Sequence, residues 1–127
     1  MTYKTIVRRD KEIWAWARRY PNTRKKLYQG FHEIQKLKDF LVSDGYHFDE
    51  YIEDGGTTLI LKYENGKQLA KARENCYSEG SALDLLEVYG LYGKKKNKMH
   101  GFVSAEKAYS MFLDSFDLYH SNLCKAV

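Results

Sequence analysis

The amino-acid sequence predicts an α+β domain in which two N-terminal helices precede a three-stranded antiparallel meander and two C-terminal helices pack on one sheet face. Apolar residues recur at spacings of three and four in the first and last thirds of the chain. Two turn sequences separate alternating segments in the middle third. The 127 residues are too few for a second core, so residues 1–127 are expected to form a single domain.

The first third contains two helical patterns. Asp10 is a suitable N-cap for the first helix, and Pro21 is expected to end it. The second, longer helix is expected to begin at Asn22 or Thr23 and to end at Asp44-Gly45. Its buried stripe consists of Leu27, Phe31, Ile34, Leu37 and Leu41.

The middle third contains the turn sequences Asp54-Gly55-Gly56-Thr57 and Glu64-Asn65-Gly66-Lys67. If Gly55-Gly56 and Asn65-Gly66 are two-residue loops, Asp49 lies opposite Lys62 and Glu64 lies opposite Lys67. Leu69 then faces away from the core. The expected core face, which also carries Glu50, consists of Phe48, Ile52, Leu59, Leu61, Tyr63, Ala70 and Ala72.

The last third is expected to hold two helices separated by a basic loop. Ser81 can cap a short helix with Leu85, Leu86 and Tyr89 on one stripe. Residues 93–101, GKKKNKMHG, are polar and bounded by glycines, which predicts an exposed loop. Ser104 then opens the last helix, whose apolar seam consists of Ala105, Ala108, Tyr109, Phe112, Phe116, Tyr119 and Leu123.

Hydropathy and cysteine usage indicate a cytoplasmic protein. No stretch approaches the roughly 20 consecutive apolar residues that cross a bilayer, and the N-terminus lacks the apolar run of a secretion signal. Cys76 and Cys124 have neither a neighbouring cysteine nor a histidine at metal-ligand spacing. We therefore expect reduced, structural cysteines, no metal and no cofactor.

The net charge of +4 conceals a strong segregation of charge along the chain. Residues 1–44 carry 11 Lys or Arg and 5 acids, residues 45–93 carry 4 and 9, and residues 94–127 carry 6 and 3. The three net charges are therefore +6, −5 and +3. Segregation of this kind favours association with nucleic acid or with an acidic protein surface.

Two basic segments form the candidate binding site. The first, near the N-terminus, consists of Trp14, Arg18, Arg19, Arg24, Lys25 and Lys26. The second, in the glycine-bounded loop, consists of Lys94, Lys95, Lys96 and Lys98. Cations can contact phosphates while flat rings stack on bases. Alternatively, these cations only keep two helices and a connecting loop soluble. Burial of Trp14 would support that interpretation.

The sequence does not predict an active site. The acidic cluster Asp49, Glu50, Glu53 and Asp54 does not converge, because alternate strand residues point to opposite faces. The four histidines are far apart, and the nucleophile and phosphate-loop motifs are missing. We expect no catalytic residue. A small nuclease or hydrolase and an acidic patch that mimics nucleic acid are the remaining alternatives for this segment.

The C-terminal third carries one resemblance. The segments LDLLEVYGL at 83–91 and GFVSAEKAYSMF at 101–112 resemble the closing segments of small accessory proteins from phages of Gram-positive bacteria. The resemblance implies a non-enzymatic product that binds or inhibits a host complex, with anti-CRISPR proteins among the class. We therefore expect an inhibitor of a host nucleic-acid-processing complex, and direct binding to DNA or RNA is the alternative.

Overall fold

The computed structural model describes residues 31–75, 77–93 and 98–125. In this part of the chain, five antiparallel strands lie side by side in their sequence order, with one helix before them and one after. The elements are α1 (Glu33–Ser43), β1 (His47–Glu53), β2 (Gly56–Lys62), β3 (Gln68–Glu74), β4 (Leu86–Tyr89), β5 (His100–Val103) and α2 (Ala105–Lys125), with a 3-10 turn at Ser81–Leu83.

Both helices contribute to one core against the sheet. α1 buries Ile34, Leu37 and Leu41, which recur at helical spacing. α2 adds Ala108 and Phe112, and Phe112 is fully buried. The strands complete this core with Leu59, Leu61, Leu69, Ala70, Ala72, Leu86, Val88 and Val103.

The predicted fold class is wrong, because the sheet has five strands instead of three and one described helix, instead of two, follows them. The segment predicted as the third helix forms the 3-10 turn and then β4. Asp84 adopts a left-handed backbone, with φ 54°, which ends the turn. Beyond it, Leu86 and Val88 enter the core while Glu87 pairs with Arg73 of β3, and this alternation is that of a strand.

The predicted basic loop also ends sooner than expected. His100–Val103 forms β5, which pairs with β4 through Leu86 opposite Val103 and Val88 opposite His100. The last helix begins directly after Ser104, as the sequence predicts.

The predicted start of the second helix, at Asn22 or Thr23, lies outside the described residues. Phe31 and His32 are not helical, so α1 begins at Glu33, and it ends before Asp44-Gly45, as predicted. The start is fixed by Asp84, whose carboxylate Oδ1 accepts the N–H groups of His32 at 2.8 Å and Glu33 at 3.1 Å. Because Asp84 lies in the 3-10 turn, far from His32 in the sequence, no capping residue beside Glu33 marks the start of α1 in the sequence. The first predicted helix lies outside the described residues.

The first hairpin has a register that differs from the predicted one, whereas the second keeps the predicted register from Thr57 to Leu61 and departs from it only at Lys62. Asp54 and Gly55, with φ of 53° and 74°, make the first loop, so Asp49 lies opposite Ile60 instead of Lys62. Lys62 nevertheless reaches Asp49 diagonally, with Nζ 2.5 Å from Oδ2. In the second hairpin, a register shift beside Leu61 makes Leu69 an extra residue on β3, and Leu69 is buried instead of facing away from the core.

Candidate binding groove

A groove of about 660 Å³ lies between β5 and α2. We call it the β5–α2 groove, and its side chains used below are those of Lys98, Met99, His100, Lys107, Met111 and Leu118. Part of its lining, including Lys98 and Met99, is exposed to solvent. Its size is within the range of ligand-binding clefts in proteins.

Two elements position the groove. β5 is held by its pairing with β4, which brings His100 beside Val88. The first turn of α2 is fixed by Ser104, whose Oγ accepts the N–H of Lys107 at 3.2 Å. Glu33 of α1 accepts the N–H of Ala105 at 2.6 Å through Oε2, so the start of α2 is tied to α1 as well. The groove walls are therefore anchored to the main core.

The groove has a buried floor and an exposed apolar rim. Leu91 and Val103 are buried beneath it. At the rim, Met99 is 58% exposed and Leu118 is 41% exposed. Flexible methionine side chains on a surface adapt to different partner side chains, so this rim is suited to binding an apolar group.

The charges at the groove are mainly positive. Lys98 and Lys107 both line it, and neither forms an ion pair with a carboxylate in the described part of the chain. Asp114 is the single acidic residue along the groove, and His100 adds a ring that can donate hydrogen bonds. An incoming acidic group would find two cations that are not already neutralised.

The structure places only part of the predicted binding site. Lys98, which is exposed, lines the groove. The other predicted binding residues, Trp14, Arg18, Arg19, Arg24, Lys25, Lys26, Lys94, Lys95 and Lys96, lie outside the described residues.

Sequence reasoning missed the residues that α2 contributes to the groove. Lys107, Met111 and Leu118 lie at i, i+4 and i+11, which places them along one side of the helix. That spacing was available as a signal. It was overlooked because the more regular apolar stripe through Ala108 and Phe112 lies on the same helix and accounts for its amphipathic pattern.

Two carboxylates of the acidic cluster of β1 form ion pairs on opposite faces of the sheet. Asp49 is bound by Lys62, and Glu50 of the opposite sheet face is bound by Lys38 of α1, with Nζ 2.7 Å from Oε2. Within the described residues, no three His, Cys, Asp or Glu side chains are grouped to hold a metal ion.

A second pair of carboxyl groups, Glu74 and Asp84, lies at the start of α1. Glu74 is fully buried, and its Oε1 accepts the N–H of Ile34 at 3.1 Å. Burial, and then the neighbouring Asp84, raise the pKa of Glu74 to about 10. Burial alone would raise the pKa of Asp84 as well, but hydrogen bonds from Glu74 and two backbone N–H groups hold it below its usual value. Glu74 is therefore the protonated member of the pair.

Aromatic side chains line the other side of α2. Tyr63 contacts Phe116 and Tyr119 with ring centroids about 5 Å apart, and its hydroxyl lies 2.6 Å from Nδ1 of His120. Cys124, which was expected to be structural, is exposed and free, with Sγ 3.8 Å from Nε2 of the same histidine. These contacts brace the end of α2 against the β2–β3 hairpin.

Comparisons with known proteins do not add a relative. No protein-family model, curated protein or solved structure matches this chain. Within the described ranges, neither helix has the length and apolar character needed to span a membrane.

Proposed function

We propose that this protein is a non-enzymatic binding protein whose β5–α2 groove holds an acidic, partly apolar segment of a partner protein. The observation that carries the proposal is one groove that combines an exposed methionine rim with two lysines that form no ion pair among the described residues. Charge complementarity would steer an acidic segment to Lys98 and Lys107. Burial of its apolar side chains against Met99 and Leu118 would supply most of the affinity.

A host nucleic-acid-processing complex is the partner class that the phage resemblance implies, and inhibition of that complex in the cytoplasm is part of this proposal. An acidic segment in the groove fits such a partner because these complexes contain acidic as well as basic protein surfaces. Binding to DNA or RNA is the second candidate, since Lys98 continues the basic segment that begins at Lys94. The apolar rim favours the protein partner.

The proposal can be tested with calorimetric titrations of a synthetic peptide that carries glutamates on one face and leucines on the other. Replacing Lys98 and Lys107 together with alanine should weaken binding about tenfold, because two charge contacts at a rim contribute about 1–2 kcal/mol. Met99→Ser should weaken binding to a similar extent through lost apolar contact.

Lys67→Ala provides the matched control, because Lys67 is an exposed lysine in the β2–β3 turn, away from the groove. It should leave peptide affinity unchanged. A short DNA duplex titrated in parallel distinguishes the second candidate, which requires tight binding that falls steeply with added salt. Peptide binding that is equal in wild type, Met99→Ser and the double variant would contradict the proposal.

A further inference from the structure

β1 is an open edge of the sheet. Among the described residues, the strand order places β1 and β5 at the two edges, and β1 pairs there on one side only, with β2. β5 has four residues and an irregular register against β4. β1 has seven residues and a continuous register, and it contains neither lysine nor proline. Natural sheets protect such edges with bulges, proline or charged side chains, and the charges on β1 are carboxylates, which repel an acidic strand and attract a basic one.

The register identifies the backbone groups that face this edge. A two-residue loop with both residues at positive φ, here Asp54 and Gly55, closes on a hydrogen-bonded pair, Glu53 and Gly56. Hydrogen-bonded and non-hydrogen-bonded pairs then alternate along the strand. The N–H and C=O groups of Phe48, Glu50 and Ile52 therefore point away from β2, and no backbone partner meets them in the described part of the chain.

The side chains around this edge are exposed and mainly acidic. Ile52, which the sequence placed in the core face, is 79% exposed, and Tyr51 on the opposite face is 51% exposed. Asp49, Glu50, Glu53 and Asp54 follow one another within the strand and its turn. Lys62 pairs with Asp49, and Lys38 pairs with Glu50. Glu53 and Asp54 have no ion pair among the described residues.

From this arrangement, we propose that β1 accepts an extended, basic segment of a partner protein as a sixth strand. Outward N–H and C=O groups at alternate residues supply the ladder that strand addition requires. Lysine or arginine side chains on the added strand would meet Glu53 and Asp54, and apolar side chains would cover Ile52 and Tyr51. A second copy of β1 is disfavoured, because antiparallel self-pairing would bring its own carboxylates together. The proposal does not depend on the β5–α2 groove.

The experiment uses the whole chain and a capped heptapeptide in which lysine and valine alternate. Binding is measured by NMR titration, and amide hydrogen exchange is followed residue by residue. We expect the amides of Phe48, Glu50 and Ile52 to exchange at least about tenfold more slowly when the peptide is bound, because each gains a ladder hydrogen bond. A peptide with glutamate in place of lysine should bind at least about tenfold more weakly.

Ile52→Pro tests the ladder directly. Proline removes the outward N–H at this position without removing a bond to β2, a position where edge strands tolerate it. Affinity for the lysine peptide should fall about tenfold, whereas Ile52→Thr, which keeps the N–H, should retain it within about threefold.

A peptide N-methylated at the amides that would face β1 gives the same test on the unaltered protein, so the result does not rely on folding of the proline variant. It should fail to bind. Equal binding of the methylated and unmethylated peptides, equal binding of the glutamate peptide, or no slowing of exchange in β1 would each overturn the proposal.

Discussion

Two carboxyl groups of opposite protonation hold the first turn of α1. The ionised Asp84 accepts the N–H groups of His32 and Glu33, and Glu74 accepts that of Ile34. The first N–H groups of a helix have no partner within the helix, so these three bonds replace a local cap. Oε2 of Glu74 is buried and receives no hydrogen bond, which disfavours an ionised Glu74. Protonation of Glu74 removes this conflict, because a neutral carboxyl group is less costly to bury than a carboxylate.

Glu74 should therefore make stability fall as pH rises. Its pKa is about 10 when folded, against an ordinary value near 4.5. A raised pKa means that the folded state holds the proton more tightly. The contribution is complete below about pH 4.5 and is lost progressively up to about pH 10. Glu74→Gln keeps the acceptor oxygen and cannot ionise, so its free energy of unfolding should exceed that of wild type by about 2–4 kcal/mol at pH 8.

Urea unfolding at several pH values measures this difference, which should shrink toward zero near pH 4. Glu64→Gln, at an exposed position of the β2–β3 turn, is the matched control and should follow wild type at every pH. Parallel pH profiles of wild type and Glu74→Gln would contradict a protonated Glu74.

Among the elements, β2 and β3 are linked by an unusually close approach at Gly56. A Cβ atom added to Gly56 would lie 1.9 Å from the carbonyl oxygen of Glu74 and 2.7 Å from Cα of Asn75. Both atoms belong to the backbone of β3 or its end, so neither can rotate away. The strands can pair at this point only because residue 56 has no side chain.

Gly56→Ala should therefore destabilise the protein by about 3 kcal/mol, the upper end of the cost of overpacking. Gly66→Ala is the matched control. Gly66 has φ of 88°, but no atom lies within 4 Å of the added Cβ, so the cost should be about 1 kcal/mol from backbone strain alone. Midpoints of urea unfolding compare the two variants. A larger loss for Gly66→Ala would contradict the steric explanation.

The success of sequence reasoning differs between elements for physical reasons. α2 and the apolar stripe of α1 are predictable because long amphipathic spacing is a local property, and the existence of the two hairpins follows from their Asp-Gly and Asn-Gly turns. β4 is not predictable in this way, because Leu85, Leu86 and Tyr89 are spaced as in a short helix, while Leu86 and Val88 alternate as in a strand. Only pairing with β3, a non-local interaction, decides between them.

Registers and the candidate groove also depend on non-local contacts. The loop at Asp54-Gly55 could equally have been Gly55-Gly56 on turn chemistry alone, and this one-residue choice moves Asp49 from Lys62 to Ile60. In the groove, Lys98 was predicted from its basic neighbourhood. Met99 and Leu118 were not predicted, because β5 and α2 bring them together only after folding.

In the described part of the chain, acidic and basic side chains lie at opposite edges of the sheet. The acidic strand β1 forms one edge of the sheet, and the β5–α2 groove with Lys98 and Lys107 lies at the other edge. Four strand spacings of about 4.8 Å separate the edges by about 19 Å. This exceeds the Debye length of about 8 Å at physiological salt, so the two sites should not sense each other's charge strongly.

The two proposed sites should therefore bind independently. Ile52→Pro should leave the affinity of the groove for the glutamate–leucine peptide unchanged within about twofold, because sites more than about 10 Å apart usually behave additively. Replacing Lys98 and Lys107 with alanine should likewise leave binding of the lysine–valine peptide to β1 unchanged. Separate calorimetric titrations of each variant at physiological salt measure both effects without mixing the oppositely charged peptides. A change above about fivefold in either cross-test would mean that the sheet transmits a structural change between its edges, since screened charge alone cannot supply about 1 kcal/mol over this distance.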